Sequence, residues 1–171
     1  MRHMRGVYLL SVWLHIMAAI VWVGGTIFLV VVLVPAIRRP EFGGVASALI
    51  RFTALRFRWV GWVCFCVFGL TGIVNLTARG IGLQELQDAS FWQGSFGRTL
   101  AIKLMLVAAI LLISACHDFF LGPRASAAWD SDPTSAETLR LRRQAVQLGR
   151  LNLLMGLTAI ALGIMLVRGA P

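Results

Sequence analysis

The chain has 171 residues, of which 58% are hydrophobic and 13% charged, and its mean hydropathy is +0.82. A soluble domain carries about 25% charged residues, so a water-soluble core is excluded and a single integral membrane domain is expected. Net charge is +9, from 16 basic against 7 acidic residues; in so apolar a chain it reads as membrane topology, not nucleic-acid binding.

The first apolar run covers about residues 7–37. It is about twice the 7–15 residues of a signal-peptide core and has no A-x-A cleavage site, which predicts a retained transmembrane helix. His15 lies in it on a stripe with Ala18, Ala19, Trp22 and Thr26, and Gly25 alongside. The two alanines leave room beside the imidazole for a neighbouring helix or a flat ligand. Arg38-Arg39-Pro40 is a basic stop, and residues 42–57, with Arg51 and Arg56, suit an amphipathic segment at the interface near anionic head groups.

A second run at 59–77 aligns Cys64, Phe68, Thr71 and Asn75 on one face. The loop at 78–98 carries Phe91 and Trp92 as interfacial anchors, and Trp13, Trp59 and Trp62 also read as belt residues. The third run, 100–121, places Lys103, Val107, Ile110, Ser114 and His117 on one stripe. Gly122-Pro123 is expected to end it, followed by a polar loop and helix over 122–149. There Thr134-x-x-Glu137 forms a capping box and predicts a helix start near Ser135 that runs into the fourth run at 151–167. This last run aligns Asn152, Met155, Thr158, Leu162 and Met165.

A spanning helix needs about 17–25 apolar residues, so the expected fold is all-α, an integral membrane up-and-down four-helix bundle. Cys64, Cys66 and Cys116 all fall in spans, where they are expected to be small buried residues outside any disulfide. Arg38, Arg39, Arg51, Arg56, Arg58, Arg124, Arg140, Arg142, Arg143 and Arg150 flank one side of the bundle, and Arg2, Arg5, Arg79, Arg98 and Arg168 the other. That bias puts loops 38–58 and 122–150 in the cytoplasm and both termini outside.

Lys at the centre of a span costs about 2.5–3.5 kcal/mol on insertion scales, so polar groups there mark a candidate site. Depth sorts them into two layers. His15, Thr71, Asn75, Lys103 and Met165 share a layer near the termini. His117 lies 14 residues past Lys103, about 21 Å further along, and joins Asn152 and Met155, with Ser114 nearby. One haem clamped by His15 and His117 is therefore excluded. Two options remain for a cofactor or metal: haem b on His15, with Lys103 as second ligand or propionate partner and Trp22 beside it, or copper on His15 with Met165 and Met17, since imidazole and thioether suit copper. The plainer alternatives are a helix–helix hydrogen bond for His15, an interfacial position for His117 and snorkelling for Lys103. No nucleophile elbow, P-loop, GxGxxG or HExxH is present.

Trp13-Leu14-His15 with Trp22-Val23-Gly24-Gly25, then Gly69-Leu70-Thr71-Gly72-Ile73-Val74-Asn75-Leu76, then Gly94-Ser95-Phe96-Gly97-Arg98-Thr99-Leu100-Ala101-Ile102-Lys103-Leu104, together resemble the copper-resistance D (CopD) family of bacterial inner-membrane proteins. The resemblance implies copper uptake or tolerance, beside a periplasmic copper-binding partner. The order His15, Trp22, Lys103, His117 is also similar to the layout of HemJ-type protoporphyrinogen oxidases, which implies haem b. A third possibility is an accessory subunit of a larger membrane complex.

Overall fold

The computed structural model describes residues 2–169, with side chains from Arg5 onward. Apolar runs in lipid must satisfy every backbone group internally, which leaves helices as the way to cross. Four helices are long and apolar enough to do so: α1 (Arg2–Phe28), α2 (Ala46–Thr77), α3 (Ser95–Cys116) and α4 (Ala136–Arg168). Among the described residues there is no strand. The expected all-α membrane bundle is what the chain forms.

α1 packs along α2 and α3 along α4, and the two pairs meet chiefly where α1 touches α4. Trp22 is the wedge at that seam. It is buried with Ala18, Val23, Cys64 and Ile110, and Phe65, Leu153 and Ala159 pack around them. Glycines make its berth: a methyl on Gly156 would fall 2.6 Å from the indole and one on Gly61 3.6 Å from it. Most other large apolar side chains, from Leu9 to Val167, are exposed, as a lipid-facing surface requires.

Both α1 and α3 continue through a π turn, Leu29–Leu33 and His117–Leu121, and each turn is followed two residues on by a proline, Pro35 and Pro123. A proline inside a helix cannot donate to the carbonyl four residues back and clashes with it. Widening the preceding turn relieves that conflict. Gly122-Pro123 therefore does not end the third helix as expected; the axis carries on into a helix at Gly122–Ser131.

Residues 46–57, expected within a separate interfacial segment, form one 32-residue helix with the second span. The N-cap of α4 is Ser135, whose hydroxyl accepts from the Thr138 N–H at 3.1 Å. That is one residue beyond the predicted Thr134 box, because Thr134 is engaged with Asp132 through both its N–H and its hydroxyl. Those bonds, hydroxyl first, hold the Asp132 carboxyl below the usual carboxylate range. In the opposite connection Asp88 likewise accepts from the Ser90 hydroxyl and N–H. Trp92 Nε1 donates to Leu86 O at 3.0 Å, and Gly97 lies directly against the Phe91 carbonyl. Of the cysteines, Cys64 is buried but Cys66 and Cys116 are exposed, all free. Two residues apart on a helix, Cys64 and Cys66 point to different sides.

Candidate functional site

The polar side chains gather in two layers on either side of Trp22. Nearer the termini, α1 and α2 are clasped by two hydrogen bonds. Ser11 Oγ donates to the Thr71 carbonyl at 3.2 Å, and His15 Nδ1 lies 2.7 Å from Thr71 Oγ1. The Thr71 hydroxyl has one proton and gives it to the Val67 carbonyl at 2.6 Å, so toward His15 it accepts. His15 Nδ1 is therefore the N–H, and in the neutral ring Nε2 keeps its lone pair. A hydrogen bond of this kind fixes the tautomer and orientation of a metal-ligating imidazole. The ring is half-buried, tilted against Phe68 with centroids 5.2 Å apart.

Lys103 reaches from α3 toward α4 in this layer. Its Nζ packs on α4 where Gly163 leaves space, 3.2 Å from where a methyl would sit. Lys103 shares this layer with His15 and with Arg79, at the end of α2. Arg79 Nη1 donates to the Leu166 carbonyl at 2.8 Å, tying the end of α2 to the last turn of α4. One turn beyond Thr71, Asn75 Oδ1 is buried without a partner. No carboxylate is paired with these groups among the described residues.

The sulfur candidates are placed differently. Met17 is exposed, two residues from His15 and so on the far side of α1. Gly156 and Gly163 mark the face of α4 that meets Trp22 and Lys103. Met165 stands about 200° round the axis from Gly163. Thr158, on the same predicted stripe as Met165, is exposed, with its hydroxyl bonded to Leu154 O in its own helix at 3.0 Å. Among the described residues no group of three or more His, Cys, Asp and Glu side chains is arranged to hold a metal ion.

The second layer lies at the Arg-rich end. Asn152 Nδ2 donates to Ser114 Oγ at 2.7 Å, which joins α4 to α3, and Asn152 Oδ1 is buried without a partner. Beyond it, in the π turn, His117 Nδ1 sits 3.0 Å from Asp118 Oδ1, and Asp118 Oδ2 accepts from Trp62 Nε1 at 3.2 Å. Trp62 also stacks on Phe119 with centroids 5.6 Å apart, and the Arg58 guanidinium lies 5.4 Å above that ring with its Nε buried and unpartnered. Trp62 is thus a bridge between α2 and α3, not the belt residue expected from its sequence. The pointer to this cluster was Asp118, an acid at the end of an apolar run, with Arg58 and Trp62 one turn apart on α2. Ser11 had no such marker.

His15 and Thr71 are thus brought together, with Lys103 in the same layer and Asn75 one turn on. Ser114 meets Asn152, and His117 stays in the other layer. The copper resistance protein D (CopD) family model matches residues 51–166. That stretch begins in the first turns of α2, ends near the close of α4, and includes Thr71, Asn75, Lys103, Ser114, His117, Asn152 and Met165. Comparison with curated proteins and with solved structures gave no match. With four spanning helices and a family match over most of its length, the chain belongs to the copper resistance protein D family of multi-pass membrane proteins.

Proposed function

We propose that the protein handles copper, in uptake or tolerance, by offering His15 Nε2 as a ligand in the polar layer nearest the termini. The observation that supports it is the His15–Thr71 hydrogen bond, which leaves the outer ring nitrogen free to bind a soft cation; the family match over residues 51–166 favours copper as that cation. Copper is here cargo, not a resident cofactor. A wall with one imidazole and no carboxylate suits brief, low-coordinate holding and release. Met17 is exposed on the far side of α1, so much of the remaining coordination falls to the ligands copper arrives with, supplied by a periplasmic copper-binding partner. The protein sits in a bacterial inner membrane with its Arg-rich loops in the cytoplasm and its termini outside.

A second reading is favoured by Lys103. A cation beside His15 with no paired carboxylate suits a ligand that brings its own negative charge. His15 Nε2 and Lys103 would be the residues to hold haem b, the first at the iron and the second at a propionate, and bound iron would supply one-electron chemistry.

The deciding experiment is a reduced-minus-oxidised visible spectrum of the detergent-purified protein, with copper and iron quantified on the same sample. Copper bound without a Soret band, and lost in His15→Ala, is the expected outcome. A Soret band with stoichiometric iron overturns it in favour of haem. Neither metal in the wild-type protein leaves an accessory subunit of a larger complex.

A further inference from the structure

At the Arg-rich end a cleft of about 400 Å³ opens between the end of α3 and the polar part of α4. One wall carries Cys116, Phe120 and Arg124; the other carries Gln144, Gln147 and Leu148. The π turn His117–Leu121 runs through the first wall, a local geometry that is rare and often found at functional sites. The two walls are graded in the same sense. Cys116 and Leu148 lie toward the apolar spans, whereas Arg124 and Gln144 lie toward the polar connection. From Cys116 to Arg124 is about 12 Å of helix, long enough for a head group followed by the upper part of an acyl chain.

Charge completes the pattern. The ion pairs among the described residues are Arg51–Asp130 and His117–Asp118, so the Arg124 guanidinium is not neutralised by either. The surrounding polar helix adds Arg140, Arg143 and Arg150 against Glu137. A cleft between spanning helices with one arginine in its wall, unpaired among the described residues, and further arginines on the neighbouring turns, at the level where the helices leave the bilayer, is the kind of place where anionic head groups bind.

We propose that this cleft is a binding site for one anionic phospholipid, its phosphate held by Arg124 with Gln144 and Gln147, and an acyl chain lying along Phe120 and Leu148. The site is separate from both polar layers and stands whether or not His15 binds copper. The glutamines act as neutral donors that complete the phosphate's hydrogen bonds without adding charge. The apolar strip explains why the occupant is a lipid and not a free anion.

The test uses the full-length protein in phosphatidylcholine nanodiscs doped with phosphatidylglycerol bearing a photoactivatable acyl chain, with adducts mapped by mass spectrometry. Adducts are expected on the peptides containing Phe120 and Leu148. A juxtamembrane Arg contributes about 1 kcal/mol to binding anionic lipid, so Arg124→Ala is expected to lower the yield about fivefold. Arg56→Ala removes an arginine of α2 that stacks on Phe52 at the same end and is expected to leave the yield unchanged. Leu148→Trp fills the cleft with Arg124 intact and lowers the yield too, so the test survives if Arg124→Ala fails to fold. Equal loss in Arg124→Ala and Arg56→Ala overturns the site. So does equal labelling by the corresponding photoactivatable phosphatidylcholine, or full displacement of the probe by inorganic phosphate.

Discussion

Thr71 decides what His15 can do. Its proton goes to Val67 O and its lone pair to His15 Nδ1, so replacing the hydroxyl frees the ring to rotate and to change tautomer. Loss of a hydrogen-bond partner behind a ligating histidine typically weakens metal binding about 10–100-fold. Thr71→Val is expected to lose copper affinity in that range while Thr71→Ser retains it, as read by competition with a cuprous chelator. Equal affinity in all three proteins would remove Thr71 from any positioning role. The Trp62–Asp118 bond makes a second expectation at this scale. Hydrogen bonds to charged groups contribute about 1.5–3 kcal/mol, so a double-mutant cycle of Trp62→Phe and Asp118→Ala should give a coupling of that order in detergent unfolding. A coupling near zero would mean that α2 and α3 are held by the aromatic stack alone.

Among the elements, α1 was the most legible and α4 the least. The stripe through His15, Ala18, Trp22 and Thr26 is the buried face of α1, because each of its members differs visibly from the apolar residues around it. On α4 the face that meets Trp22 and Lys103 is made by Gly156 and Gly163, small residues whose spacing marks close packing but which carry no polarity. A polar stripe selects Thr158 instead, whose hydroxyl is satisfied within its own helix. Proline misled in a similar manner: Pro123 reads as a stop, yet a π turn lets the helix pass through it. Gly156→Ala tests the α4 face directly. Overpacking a tight interior costs about 1–3 kcal/mol; the variant should melt at a lower temperature than wild type, and Gly149→Ala, which meets open space, should not.

At the scale of the whole molecule, the class and the number of spans follow from hydropathy, since a continuous run of about 20 apolar residues hides its backbone in lipid as a helix. The pairing of those spans does not, because it depends on where small residues let two axes approach. Four spans put both termini on one side. In a cysteine-free background, Ser90→Cys is expected to react with a membrane-impermeant maleimide added to intact cells, and Ser126→Cys only after permeabilisation. The reverse pattern would invert the molecule. Depth also has an electrical meaning. His15 lies about 8 residues, or about 12 Å of helix, inside the apolar run that begins near Val7, so an ion that reaches it has already crossed part of the membrane voltage. One charge traversing a third of a 100 mV drop exchanges about 0.8 kcal/mol with the field, enough to change occupancy about fourfold. Copper loading in sealed vesicles should then rise or fall as a potassium diffusion potential is imposed. The sign of that response reports which face of the protein meets the outside.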